Sequence, residues 1–465
     1  MKLKLKKILL TAPVLLGLLV LSGQGCKGPT AEQQAAVRPV TLDFWTVYDD
    51  VDELRRMASE YKALRPYVTI NIRQVRYDEF DELFVNALAD DVGPDIISTH
   101  VRWLNKYKNR LATMPRSVQV ANQYVKGEYF KETVVELQNV AMPSIPAIKS
   151  NFVSAVFEDV VIDDQVYGLP ISMDTMAIYY NKDLLDQAGV PLAPTTWDEF
   201  EQAVRKSTKY DNNGNIVQSG VAMGTADNID NSFDIVSLLM MQSMAGNGME
   251  MVENGRVAFA EGIKQLKYEH PTMQALRFYT DFAQPTTEDY SWNEDMEQAI
   301  DSFTRGKTVF YFGFAHDRDN IAARAPQMEF EIIPVPQLYS QVPVNVANYW
   351  VQSVVEKSEN KNLAWDFVRF ITSQENIERY TTNQKLPSPL RAQVNDQKED
   401  VDISPFANSV LVARNWYKGR DIDAVRDAFG DMVTSFLQAP GEEENALKRD
   451  TAIVERAAQV VQQTL

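Results

Sequence analysis

Apolar positions along this chain recur with two periods, and the two alternate. Residues 40–48 (VTLDFWTVY) alternate with period two and are rich in β-branched and aromatic side chains, which predicts a strand. Over 50–64 the period lengthens: Leu54, Met57, Ala58, Tyr61 and Leu64 share one helical face, and Pro66 stops the run. A second strand at 68–75 (VTINIRQV) is followed by a second helix at 77–89, with Phe80, Leu83, Phe84, Ala87 and Leu88 on one side. Gly93-Pro94 breaks the chain before a short buried strand at 95–98. Strand, helix, strand, helix, strand predicts a βαβ layout with a mainly parallel sheet.

The same alternation continues. Ala177 to Tyr180 reads as a strand on which Tyr179 and Tyr180 point to opposite faces, so only one can face a cleft. Trp197 to Thr208 reads as a helix with Thr196 as N-cap and Glu199 three residues on. Further helices are expected at 233–245, 271–282, 296–306 and 362–371, strands at 308–314 and 329–335, and mostly helix after Ser404. Residues 111–160 are harder; VVELQNV at 134–140 reads as helix, before the proline-rich 142–146. Two stretches have a bland and a sharp reading. Asp211 to Asn215 faintly resembles a calcium loop, but no Gly stands sixth and no acid twelfth, so a hairpin turn at Asn213-Gly214 is expected. Met240, Met241 and Met244 could suggest copper, but core packing is the expectation at that spacing.

The N-terminus departs from this pattern. Lys2, Lys4, Lys6 and Lys7 precede an apolar run from Ile8 to Leu21, then Ser22, Gly23 and Gly25 lead to Cys26, the one cysteine among 465 residues. That layout predicts a secretory signal over 1–25, too short and interrupted for a membrane span. A lone Cys there resembles the bacterial lipoprotein signal, which implies lipidation of Cys26; Gly23 stands where that signal prefers Leu. The alternative is an ordinary cleaved signal with an incidental Cys. Residues 26–39, small and polar, are expected to be a lipidated tether.

Length adds a prior of two to four domains. Removing the signal, which holds four lysines and no acid, takes the formal charge from −18 to −22. That argues against general nucleic-acid binding. It leaves room for a basic pocket and an anionic ligand.

Six segments then stand in a recognisable order: LDFWTVYD (42–49), GPDII (93–97), GLPISMDTMAIYYNKDLL with PTTWDEF (168–185 and 194–200), FTRGKTVFYFGFAHDRDNI (303–321), IIPVPQ (332–337), and AWDFVRFITSQENIERY with LPSP (364–380 and 386–389). The chain resembles the family 1 extracellular solute-binding proteins of ABC importers, the group that contains the maltodextrin-binding protein, over roughly residues 40–390. The resemblance implies an α/β, two-lobed periplasmic-binding-protein-like fold. Each lobe would be an open, mainly parallel sheet flanked by helices, with the ligand cleft at the hinge. It implies a first lobe of 40–172 plus 314–349 and a second of 173–313 plus 350–465, with crossings near Ile171–Asp174, Phe312–Asp317 and Asn348–Val351. It also implies a small-molecule solute, by default a sugar, and ABC permease transmembrane subunits as partners. The protein would be a monomer, lipid-anchored outside the cytoplasm, with no cofactor or metal.

Place and chemistry select the expected ligand contacts. Trp45 and Tyr48 end the first strand, and Thr99, His100 and Arg102 follow the third. Asp174 takes the crossover position where relatives often carry an acid. His316 and Arg318 stand where some sugar-binding relatives have tryptophans, and Tyr349 and Trp350 sit at the third crossing. Trp292 and Trp416 are additional stackers from the second lobe. Sugar rings present flat C–H faces and hydroxyl rims, which suit aromatic faces and carboxylates. Core packing is the competing reading for every tryptophan; Trp197 and Trp365 are assigned to it outright. A secreted carbohydrate-active enzyme and a surface adhesion or scaffold protein are the alternatives. No catalytic motif appears, and His100, His270 and His316 lack metal-ligand spacing.

Overall fold

The computed structural model describes residues 30–127, 131–263, 269–439 and 445–465. The expected signal and Cys26 lie outside them. Two sheets organise the chain. The first runs, in spatial order, Trp350–Val354, Ile96–His100, Val40–Thr46, Val68–Gln74. Its strand Val40–Thr46 is parallel to both neighbours, and Trp350–Val354 joins antiparallel at the edge. The second runs Lys209–Tyr210, Ile216–Val221, Thr308–Gly313, Ala177–Asn181, Phe330–Pro334. Only Ile216–Val221 and Thr308–Gly313 pair in parallel there, so the second sheet is mixed, not mainly parallel. The reason is directional. Ala177–Asn181 leaves the hinge, while Thr308–Gly313 and Phe330–Pro334 both run back towards it on either side.

Strand membership corrects the expected division. Phe330–Pro334, expected in the first lobe, is an edge of the second sheet. Trp350–Val354, expected in the second, pairs with Ile96–His100, and the helix Lys361–Ile371 packs behind it. Residues 312–317 do not cross. Asp317 accepts the Phe314 N–H (2.9 Å), and the turn sends the helix Asp317–Arg324 back over its own sheet.

The real crossing is a narrow strip. Asp174–Thr175 pairs antiparallel with Asn345–Asn348, which pairs in parallel with Ala413–Arg414. Just before it, Leu169 bridges Gln352. Gly168 permits that approach: a Cβ there would lie 2.5 Å from Val351 Cγ1 and 2.7 Å from the Gln352 carbonyl.

Local chemistry accounts for most helices as expected. Asp50 caps Val51–Leu64, and the Thr196–Glu199 capping box starts Trp197–Ser207. The methionines of Ser232–Ala245 are core, and Asp211 closes the hairpin turn before Ile216. The stretch 134–140 is not helix. It lies in Glu132–Ala141, paired along its length with Ser117–Lys126. Its valines and Thr133 favour the pleated surface, and pairing with Ser117–Lys126 satisfies the backbone groups that face the partner strand. The tether is also partly structured. Thr30 caps a helix, Ala31–Ala36, and the Gln33 amide donates to the Val135 carbonyl (2.8 Å). Among the described residues no helix is long and apolar enough to cross a membrane.

Candidate functional site

A cavity of about 360 Å³ opens between the two sheets at the strip. Its position follows the rule for open α/β sheets, where ligands lie beyond the carboxyl ends of strands. Tyr48, Tyr77, His100, Arg102 and Trp350 face it from the first lobe. Asp230, Asp234, His316 and Arg426 face it from the second, and Asp174, Asn348 and Tyr349 lie at the strip.

The first-lobe wall is aromatic. Trp350 lies 5.5 Å from Tyr48, 5.3 Å from His100 and 5.6 Å from Trp103 between ring centroids. Tyr77 stacks on Trp103 at 5.0 Å, and Trp103 stacks on Phe80 at 5.6 Å. Trp103 is buried, so it backs the wall and fixes Tyr77 and Trp350 without reaching the cavity. Tyr48 is 62% exposed and gives the wall a free outer ring.

His100 is held neutral. Its Nε2 lies 2.7 Å from Asn348 Oδ1, and its Nδ1 accepts the Arg102 backbone N–H (3.3 Å), which selects the tautomer protonated on Nε2. Burial, with the Arg102 guanidinium nearby, pushes it down to about 3. The unfolded chain takes up a proton below about pH 6.5 that the folded one refuses, so stability is full above that pH and is lost as pH falls towards 3. Between pH 7 and pH 5 the expected loss from this group is about 2 kcal/mol. Thermal unfolding of the protein and of His100→Gln at both pH values checks this. The variant should lose less on acidification, and an equal loss would remove the assignment.

Asp174 is 6% exposed, and both carboxylate oxygens are committed. Oδ1 accepts the N–H of Thr175 (2.8 Å) and of Ala315 (2.9 Å); Oδ2 accepts the N–H of His316 (3.2 Å) and faces its Nδ1 (3.1 Å). Burial would lower the His316 imidazole, but the Asp317 and Asp174 carboxylates outweigh it and raise it to about 9.

Two contacts cross the cavity in opposite directions. Arg102 of the first lobe pairs with Asp234 at the start of Ser232–Ala245 and lies over Phe233, 5.2 Å from its centroid. Arg426, on Ile422–Leu437, donates to the Tyr77 hydroxyl (2.7 Å). Each lobe thus places one guanidinium against the other.

Of the expected contacts, Tyr48, His100, Arg102, Asp174, His316, Tyr349 and Trp350 line this cavity. Tyr349 presents little to it, because its hydroxyl donates to Asp159 (2.7 Å) within the protein. The other five lie elsewhere. Trp45 is buried beneath the Arg73 guanidinium, 4.8 Å from its ring centroid, and Thr99 is fully buried in the first sheet. Trp292 is fully buried in the second lobe, its Nε1–H donating to Asn228 (3.0 Å). Arg318 turns away to Asp319 (3.1 Å). Trp416 packs on Phe429 and borders a different cavity. The strand-end rule that selected Tyr48 also selects Tyr77, which follows the second strand. No sequence signal distinguishes Asp230, Asp234 and Arg426, which arrive on helices and loops of the other lobe. Among the described residues no cluster of three or more His, Cys, Asp or Glu is placed to hold a metal.

Residues 57–405 match a family described as bacterial extracellular solute-binding protein. A Brucella abortus protein, named as a binding protein, is 22% identical over 401 residues, which is 83% of this chain and 85% of that one. The arabinooligosaccharide-binding protein of Bacillus subtilis is 24% identical over 271 residues, 57% of this chain and 54% of that one. Among solved structures, the sugar-binding protein MalE from Xanthomonas citri superposes with a TM-score of 0.67 at 14% identity, covering 91% of this chain and 98% of that one.

Proposed function

The chain belongs to the family of bacterial extracellular solute-binding proteins, and from that membership we propose that its interlobe cavity captures a saccharide outside the cytoplasm and delivers it to an ABC permease. The observation that carries the reading is the aromatic wall of Tyr48, Tyr77 and Trp350 facing Asp230 and Asn348 across one cavity. Flat rings suit the C–H faces of a sugar, and carboxylates and amides suit its hydroxyls. The arabinooligosaccharide-binding and sugar-binding relatives support the same ligand class.

Charge favours uncharged sugars over acidic ones, with Arg426, held on the Tyr77 hydroxyl, as the remaining guanidinium at the cavity. Arg102 meets Asp234, His316 lies between Asp174 and Asp317, and Arg318 pairs with Asp319 outside the cavity. The cations that left room for an anionic solute are each matched, and Asp230 adds a carboxylate that burial and Asp317 raise above its ordinary value. The protein acts as a binder without turnover, anchored through lipidated Cys26 and working as a monomer.

Titration calorimetry with neutral, acidic and amino sugars tests this. Saturable heat with unchanged sugar recovered afterwards supports capture; product formation supports the enzyme reading, and no heat from any sugar removes the proposal. Trp350→Ala is expected to weaken the best neutral sugar at least tenfold, about 1.5–3 kcal/mol, because it removes the central ring of the wall.

A further inference from the structure

The charges around the interlobe cavity do not balance, and the surplus is negative. Each cationic side chain that lines it is answered from within the protein. Arg102 pairs with Asp234, and the His316 imidazole lies between Asp174 (3.1 Å) and Asp317 (3.6 Å). Arg426 is held on the Tyr77 hydroxyl (2.7 Å), with the Asp234 and Asp423 carboxylates nearby. Two carboxylates of the lining remain, one on each lobe: Asp49 and Asp230.

Asp49 follows the first strand and is 5% exposed. One of its oxygens accepts the Thr46 hydroxyl (2.7 Å), while the Gln352 amide approaches both only at 3.4 Å. Burial outweighs the hydrogen bonds it accepts and raises its carboxyl above the ordinary value. Gln352 itself is fully buried, and its Oε1 has no hydrogen-bond partner among the described residues. Asp230 is exposed and forms no ion pair among the described residues; Arg324, which offsets its charge from a distance, is paired with Asp301. A neighbouring cavity shares Tyr48, Asp49 and His316 with the first and adds Asp50, Asp52 and Asp319. Its own guanidinium, Arg55, is paired with Asp52 (3.0 Å).

Acceptors therefore exceed donors at this site. A protonated amine offers three donors and no acceptor, and a carboxylate withdrawn from water is stabilised when a cation joins it. The faces of Tyr48, Tyr77 and Trp350 attract the same charge through their ring quadrupoles. A hydroxyl supplies a single donor and leaves the excess charge in place.

We propose that the captured solute is an amino sugar, its ammonium received by Asp49 and Asp230 beside the aromatic wall. The inference rests on the saccharide reading and adds positive charge as the property the site selects. The formal charge of the whole chain, −18, steers such a solute inward.

The test is calorimetry on the full chain at about pH 6, where the amine is protonated. The probes are glucose, galactose, mannose and cellobiose, each beside its 2-amino-2-deoxy and its 2-acetamido-2-deoxy counterpart. Acetylation keeps the nitrogen and removes the charge. The expected result is that, in the series that binds, the amine binds at least tenfold tighter than both partners. Asp230→Asn, isosteric and on an exposed residue, should cut the amine-to-neutral affinity ratio severalfold, and Asp49→Asn should do the same; thermal unfolding reports whether either variant is misfolded. An amine that binds no tighter than its neutral partner, or a preference that survives both substitutions in folded protein, overturns the amino-sugar assignment while leaving saccharide capture standing. Absence of heat from every probe overturns saccharide capture itself, and this inference with it.

Discussion

Asp174→Ala is expected to lower folding stability by about 3 kcal/mol and to weaken ligand binding as well. The carboxylate gathers three backbone N–H groups and one imidazole at the point where the chain passes between lobes. Truncation leaves the buried Thr175 and Ala315 amides without acceptors, each worth roughly 1–3 kcal/mol when orphaned, and the total is less than additive because the strip can relax. It also removes one of the two carboxylates that hold His316 protonated. Binding suffers indirectly, because the four donors leave Asp174 little capacity to contact a solute while it fixes where Ala315 and His316 stand. Asn at 174 should not rescue, since its amide turns a donor towards donors. Urea unfolding decides the matter: a loss under 1 kcal/mol would show that the strip holds its shape without this carboxylate.

Asp234→Ala should open the molecule. Removing one partner of a buried ion pair typically costs about 3–5 kcal/mol, because the remaining charge is left desolvated. Here the structure offers an escape. Arg102 and Asp234 belong to different lobes, so separating them returns the guanidinium to water. The expected result is a larger radius of gyration in small-angle scattering of the ligand-free variant, a melting loss smaller than that range implies, and weaker binding because the closed form is less populated. Arg102→Ala combined with Asp234→Ala should recover part of the binding, since no unpaired charge then remains. Unchanged scattering with a full stability loss would instead make the pair a fixed element of the core.

How far the sequence disclosed this site depended on the range of the interactions involved. Helix starts at Asp50 and Thr196 were legible because capping is settled within three residues. The first strands were legible because period carries them, whereas the crossover stretch and the place of the cleft came from the family resemblance, which also misplaced one crossing at 312–317. Tryptophans were not legible. Trp45, Trp292 and Trp416 share a chemistry with Trp350, but burial is decided by partners far along the chain: Arg73 over Trp45, Asn228 beside Trp292, Phe429 beneath Trp416. The same distance hid Tyr77–Arg426, which are 349 positions apart. The strand Glu132–Ala141 was misjudged for a related reason. Its apolar spacing fits a helix locally, and only the partner strand at Ser117–Lys126 makes it a ladder. The final edge of each sheet, Trp350–Val354 and Phe330–Pro334, was assigned to the wrong lobe because sequence order says little about which edge a late strand joins.

The strip formed by Asp174–Thr175, Asn345–Asn348 and Ala413–Arg414 has a mechanical consequence. Hydrogen bonds tie the crossing segments into one ribbon, which flexes across its face more easily than it shears in its own plane. Such a ribbon would confine any lobe motion to something close to a single angular coordinate. Any occupant that draws the lobes together, whatever its stereochemistry, moves the outer faces along that same arc. On the proposed function, the ribbon would discard the identity of the cargo and pass on one bit, loaded or empty, so that a partner surface need recognise only an angle.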